Sequence, residues 1–100
     1  MITFIVRREE DTDTPKKYSF DKKLIKVGRL SENDIILNDN SISRQHFIII
    51  YDEEKYKIID TSKNGTLLNG ELMKKNEEKV LKTGDNIKVG NFLINVLINK

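Results

Sequence analysis

Five short polar clusters hold most of the residues able to do chemistry in this 100-residue chain: Gly28-Arg29, Asn33-Asp34, Ser41-Ile42-Ser43-Arg44-Gln45-His46, Ser62-Lys63-Asn64-Gly65-Thr66 and Asn69-Gly70. Arg29 carries a planar fork of donors that meets two oxygens of one phosphate and stays charged at any physiological pH. Gly28 before it lets the backbone turn or approach closely. Ser43 adds a hydroxyl donor, and a backbone N–H beside it is a further donor to an anion. Asn64 carries an amide suited to bonding the backbone of an extended peptide, and Gly65 suits a tight turn. Taken singly, each of these is an ordinary surface or turn residue.

A second chemistry competes for the same residues. Ser43 and His46 raise nucleophilic catalysis, which needs a third orienting residue and an oxyanion hole. No Gly-x-Ser-x-Gly elbow is present, and the two residues lie three apart at the entrance to an apolar run. A small Ser/His hydrolase is therefore the remote alternative, and no catalytic residue is assigned. His46 is the only histidine and has no metal-ligand spacing around it. The expectation is a buried imidazole that pins loops through its two ring nitrogens, with no metal and no cofactor. Asn64-Gly65-Thr66 also spells a glycosylation sequon, which is empty without secretion. It is read as a hairpin turn with Asn64 facing outward. The acidic stretch Glu9–Asp13 reads as a solvated loop with at most weak attraction for a cation. The pairs Lys16-Lys17, Lys22-Lys23 and Lys74-Lys75 are dispersed, as at solvated or edge-protecting positions.

Elements able to position these clusters are visible as short apolar runs rich in isoleucine. Ile2, Phe4 and Val6 alternate with Thr3 and Ile5; Tyr18 and Phe20 keep the same period; Leu24, Ile25 and Val27 lead into Gly28. Phe47 to Tyr51 is continuously apolar, which predicts a strand buried on both faces. Tyr56, Ile58 and Ile59 follow the turn Asp52-Glu53-Glu54-Lys55, and Val80-Leu81, Ile87-Lys88-Val89 and Phe92 to Ile98 complete the set. β-Branched and aromatic residues separated by turn signals every eight to twelve residues or so predict an all-β sandwich or barrel. Asn69-Gly70 and Gly84-Asp85-Asn86 have tight-turn chemistry. The segment 69–80 lacks an apolar helical stripe and is read as a loop or short edge strand.

Composition narrows the function. Eighteen basic and 16 acidic side chains leave a net charge of +2, a near-neutral balance that gives no strong prior for nucleic acid, whose binders usually carry a concentrated basic face. There is no cysteine, which excludes disulfides and thiolate metal sites and suits a reducing compartment. The first apolar run precedes its basic residues, the reverse of a signal peptide, and no stretch approaches the ~20 apolar residues of a membrane span. A cytoplasmic, monomeric domain filling residues 1–100 is expected, with no nucleic-acid or membrane partner.

In order and spacing these clusters resemble the forkhead-associated (FHA) family, densely over residues 25–74. The later run Leu81-Lys82-Thr83-Gly84-Asp85-Asn86-Ile87-Lys88-Val89-Gly90 is similar to the family's closing "L-x-x-G-D-x-I-x-x-G" pattern. The resemblance implies a β-sandwich of about eleven strands, adjacent termini, and ligand loops at one end. It also implies phosphothreonine-dependent, non-catalytic binding of a partner protein or peptide. Arg29 and Ser43 would hold the phosphate, Arg44 would add a contact, and Asn64 would hold the peptide backbone. Gly28, His46 and Gly65 would be architectural. Lys63 departs from the family, which often has Ser or Thr there; a lysine either supplies charge or simply points into solvent, and it is counted among the binding residues. Ser41 stands where some members select the residue three after the phosphothreonine, and being uncharged it predicts no strong acidic preference at that position. Members that bind without phosphate, as scaffolds of larger assemblies, usually lose the arginine or serine. Both are kept here, so that role is the alternative.

Overall fold

The computed structural model describes residues 1–10 and 14–99. Among them the chain forms eleven strands and no helix: β1 (Ile2–Arg8), β2 (Lys16–Phe20), β3 (Leu24–Gly28), β4 (Ile35–Ile36), β5 (Phe47–Asp52), β6 (Lys55–Asp60), β7 (Leu67–Leu68), β8 (Glu71–Leu72), β9 (Glu78–Val80), β10 (Asn86–Val89) and β11 (Phe92–Ile98). Two sheets form, one in the order β2-β1-β11-β10-β7-β8 and the other β4-β3-β5-β6-β9. Every pairing is antiparallel except β3 with β4. The all-β expectation and the strand number both hold.

Period-2 burial builds the core. Ile2, Phe4 and Val6 of β1 lie opposite Ile98, Val96 and Ile94 of β11, so one face of this sheet is a continuous apolar surface. Ile25 and Val27, Phe47 and Ile49, and Tyr56 and Ile58 supply the facing layer from the second sheet. Phe47 to Tyr51 is not buried on both faces, contrary to the expectation from its sequence. Phe47 and Ile49 are fully buried, Ile48 and Ile50 are half-buried, and Tyr51 is exposed. The outward pair stays partly covered because its cross-strand neighbours are long side chains: Lys26 and Ile59 beside Ile48, Leu24 and Lys57 beside Ile50.

Two turns show how sequence sets register. Asn69 and Gly70 both have positive φ (52° and 84°) and join β7 to β8 in a two-residue loop, as their chemistry predicts. Glu53 and Glu54 do the same between β5 and β6, with φ of 53° and 64°, although neither residue favours that region. Strong pairing of the flanking strands imposes the geometry there. The segment 69–80 yields the edge strands β8 and β9 of different sheets, in keeping with its reading as loop and edge. Met1 and Asn99 exchange backbone hydrogen bonds of 3.0 and 2.9 Å, so the two ends of the described chain are adjacent. The acidic stretch Glu9–Asp13 runs into residues 11–13, outside those described; Glu9 itself pairs with Lys88 at 3.4 Å. No helix among the described residues is long and apolar enough to cross a membrane.

Candidate functional site

Gly28 ends β3 against another stretch of main chain. A Cβ there would sit 2.8 Å from the Gln45 Cα and 2.8 Å from Asn33 Nδ2, and closer still to the Arg44 carbonyl oxygen. Only glycine permits that approach, and the approach lets the next residues zip to the segment before β5. Arg29 N–H donates to the Ser43 carbonyl (3.0 Å) and Leu30 N–H to the Arg44 carbonyl (3.3 Å). Asn33, buried, donates from Nδ2 to both the Leu30 carbonyl (2.9 Å) and the Arg44 carbonyl (2.7 Å). Beyond it Asp34 fastens the same loop to Lys26 in β3 and to Lys22 just before that strand. Burial pushes its carboxyl up, but the Lys22 side chain, the Lys26 N–H and both lysine charges outweigh that and hold it below the usual range.

Arg29 is half-buried and its Nε donates to the Ile42 carbonyl at 3.1 Å. That single bond fixes the plane of the guanidinium and leaves its two terminal nitrogens for a ligand. Ser43 is held twice. Its N–H donates to His46 Nδ1 (3.0 Å), and its Oγ accepts the Lys63 N–H (2.9 Å). With one lone pair engaged, the hydroxyl hydrogen of Ser43 stays available to a further acceptor.

His46 is fully buried. Because Nδ1 accepts from an N–H, the proton sits on Nε2, which donates to the Gly65 carbonyl at 2.9 Å. Desolvation keeps the imidazole's pKa below its ordinary value, against the opposing effects of the Gly65 carbonyl and the Asp60 charge. The ring therefore ties the Ser43 segment to the Gly65 segment as a neutral brace, as expected from its sequence position. It has no bond to Ser43 Oγ, so the pair is not arranged as nucleophile and base.

The 61–66 segment is not a hairpin turn, contrary to the reading of its Asn-Gly sequence. β6 and β7, on its two sides, belong to different sheets, and the segment crosses between them. Its anchor is the buried Asp60, whose Oδ1 accepts from Ser62 N–H (3.0 Å) and Thr66 Oγ1 (2.9 Å). Ser62 Oγ in turn accepts the Gly65 N–H at 2.8 Å, and Gly65 takes φ of 98°, which an L side chain resists. This lattice presents Lys63 and Asn64 on the outside. Asn64 Nδ2 donates to the Ser41 carbonyl at 3.1 Å, linking its loop to the preceding one. Ser41 itself is occupied within its loop: its N–H and Oγ both donate to Asp39 Oδ1 (2.9 and 2.7 Å), bonds that hold the Asp39 carboxyl below its ordinary range.

Around these loops lies a concavity of about 660 Å³. Arg29, Ser43, Arg44, Lys63 and Asn64 line it together, so the structure brings all five candidate binding residues to one place. Gly28, His46 and Gly65 stand behind them as scaffolding. Lys75 also lines the concavity. Lys75 is exposed and lies just before the edge strand β9, in keeping with the reading of its pair with Lys74, and the turn there also brings it to the concavity. Sequence reasoning also left Asn33, Asp60, Ser62 and Thr66 without a role; Asn33, Ser62 and Thr66 lie inside the polar clusters, whereas Asp60 lies outside them and carried no signal. Among the described residues, Arg29, Arg44, Lys63 and Lys75 supply four cations and no carboxylate lines the concavity, so an anion there displaces no internal partner found among them.

The FHA domain family model matches residues 25–90, the stretch that carries every loop of this site. The chain belongs to the FHA domain family. It is 39% identical over 66 residues to nibrin of Danio rerio, covering 66% of this chain and 8% of nibrin. It is 35% identical over 77 residues to the oxoglutarate dehydrogenase inhibitor of Corynebacterium efficiens, covering 76% of this chain and 52% of that protein. The chain thus spans about half the length, or less, of these curated relatives. Among solved structures, the N-terminal FHA domain of S. cerevisiae Rad53p in complex with a phosphothreonine peptide superposes with a TM-score of 0.81 at 29% identity, covering 97% of this chain and 94% of that one. In this FHA chain the loops around the concavity are built from polar side chains bonded to main chain. That construction explains why the family's pattern is written in Gly, Ser, Asn and His and not in the apolar core.

Proposed function

We propose that this FHA chain, as one domain over residues 1–100, is a non-catalytic module that binds phosphothreonine-containing segments of a partner protein. The observation that carries the reading is Arg29: its guanidinium is oriented by the Ile42 carbonyl and borders a concavity lined, among the described residues, by cations and no carboxylate. A phosphate monoester brings nearly two negative charges and several acceptor oxygens to such fixed donors. In this reading Arg29 is the main phosphate ligand, the Ser43 hydroxyl donates a second bond, and Arg44 and Lys63 add charge. Asn64 holds the peptide main chain. The phosphothreonine peptide on the Rad53p domain supports the choice of mark. The neutral, doubly bonded His46 and relatives named as inhibitors support the absence of catalysis. A cytoplasmic monomer without nucleic-acid or membrane partners goes with the proposal as the expectation from sequence.

A phosphothreonine peptide library, with its unphosphorylated counterpart and a phosphoserine set, tests the reading. Selective capture of phosphothreonine peptides, lost in Arg29→Ala, is expected. Equal capture of the unphosphorylated library would overturn it in favour of a phosphate-independent scaffold.

A further inference from the structure

Lys75 reaches the concavity from a part of the chain outside the clusters that define the site. It sits in the turn 74–77 between β8 and β9, closed by the Glu77 N–H donating to the Lys74 carbonyl at 3.1 Å. Asn76 takes φ of 67° at the third position, where a type II turn needs a left-handed residue that Asn tolerates. The turn is pinned on both sides. Asn76 N–H donates to the Asp60 carbonyl at 2.8 Å, and buried Met73 donates its N–H to the Thr66 carbonyl at 2.9 Å. The backbone under Lys75 is thereby tied to the same Asp60–Thr66 lattice that presents Lys63 and Asn64. Among the described residues Lys75 forms no ion pair, whereas Lys22, Lys57, Lys79 and Lys88 each face a carboxylate.

Arg29, Ser43 and Lys63 come from the loops that define the site, whereas Lys75 approaches from a separate turn at the rim. Arg29 and the Ser43 hydroxyl suffice for the oxygens of one phosphate, with Arg44 or Lys63 beside them, so a further ammonium at the rim is left to a second negative group. We infer that Lys75 gives this site a preference for phosphothreonine segments that carry a second anion, an acidic side chain or a second phosphate, within a few residues of the phosphothreonine. This rests on the phosphothreonine reading and adds to it a class of partner segment and the residue that selects it. It also moves the source of selectivity away from Ser41, whose hydroxyl is held by Asp39.

The test uses calorimetric titration of one phosphothreonine peptide with neutral flanks. Two companion sets place an aspartate, or a second phosphothreonine, at each flanking position in turn. Wild type, Lys75→Ala, Lys75→Glu and Lys75→Arg are compared at low and high salt. Wild type is expected to bind at least one anionic variant about three- to five-fold more tightly than the neutral peptide, the advantage of one exposed ion pair. That advantage should shrink to nothing in Lys75→Ala, invert in Lys75→Glu, survive in Lys75→Arg, and fade at high salt. A response to the second phosphate alone would name phosphate as the source, and a response to aspartate would name a carboxylate. Equal affinity for neutral and anionic peptides, or a preference that persists in Lys75→Ala, would overturn the inference while leaving phosphothreonine binding intact. Failure of every phosphorylated peptide to bind would instead overturn the reading beneath it.

Discussion

His46 and Phe47 are neighbours in sequence and both are fully buried, yet they belong to regions held together by different forces. Phe47 lies between two apolar sheets, where stability comes from area removed from water and from close packing. His46 lies among loops joined by hydrogen bonds, many of them between a polar side chain and main chain. The first region tolerates exchange of one apolar shape for another of similar volume. The second does not, because each donor has a particular acceptor and an orphaned partner is costly. The proposed function sits on the second region and rides on the rigidity of the first.

The comparison breaks most visibly at Phe47. Phe47→Ala should cost about 3–5 kcal/mol, a large cavity penalty for a domain whose whole stability is of the order of 5–15 kcal/mol. Denaturant titration should show a lowered midpoint, with affinity for a phosphothreonine peptide unchanged in the fraction still folded. Arg29→Ala should do the reverse. Loss of an oriented, charge-assisted contact should remove about 2–4 kcal/mol of binding. Because Arg29 carries one structural side-chain bond and no ion pair among the described residues, its melting temperature should stay within a few degrees of wild type. Unaltered affinity in a calorimetric titration would remove Arg29 from the site.

His46→Ala should fall between these. It strands the Ser43 N–H and the Gly65 carbonyl, at about 1–3 kcal/mol for each orphaned group less whatever water recovers. A net loss of about 2–3 kcal/mol is expected, with weaker binding as well, since Ser43 and the Asn64 loop lose their common brace. If this variant melts like wild type and loses only binding, the imidazole is a ligand and not a brace.

The sequence made the second region easier to read than the first. Gly28, Arg29, Ser43, His46 and Asn64 stand out because a turn or a main-chain contact demands a specific residue type. The core is written in interchangeable isoleucines, so its alternation was visible along β1 but not along Phe47–Tyr51, where half-covered outward positions are apolar too. Asn64-Gly65 misled for a related reason. The dipeptide specifies local φ, while the sheet each flanking strand joins is decided by distant partners. Lys75 was illegible because its place depends on Asn76 and Met73 bonding to Asp60 and Thr66, contacts that no local pattern encodes.

Acid separates the two regions further. His46 is neutral when folded and its pKa is depressed, so the unfolded chain binds the proton first. Stability from this residue is therefore full above the unfolded value near pH ~6.5 and falls as pH drops through that value toward the folded one. The depressed carboxyls of Asp34 and Asp39 act lower, losing their contribution only below the unfolded value near pH ~3.9. Between pH 7 and 5 the melting temperature should thus decline through His46, and His46→Gln should flatten the decline. Peptide affinity should weaken over the same interval for a separate reason, since the phosphate's second ionisation lies near pH ~6 and the dianion suits fixed donors better. A phosphonate ligand with a shifted ionisation should move the affinity profile and leave the melting profile alone; a flat affinity profile for both ligands would count against a dianion-reading site.

The smallest effect sharpens the comparison within a single residue. Lys63 contributes its N–H to the loop lattice, at 2.9 Å from Ser43 Oγ, while its side chain is exposed over the concavity. Lys63→Ala keeps the first and removes the second, so folding stability should be unchanged to within about 0.5 kcal/mol, as for most surface substitutions. Binding should weaken by about 0.5–1 kcal/mol. Lys63 lines the same concavity as Arg29 and Ser43, so its ammonium should attract a phosphate held there, but the flexible stem loses rotamer freedom when it does so. At low ionic strength the loss should be largest, and near 1 M salt, where the screening length is about 3 Å, it should nearly vanish. Titrations of wild type and Lys63→Ala at both salt concentrations decide it. A large loss that ignores salt would place the side chain in the hydrogen-bonded lattice with its own N–H. No loss at either salt would leave Arg29, Ser43 and Arg44 as the phosphate's only partners, with Lys63 reduced to a covering over the turn.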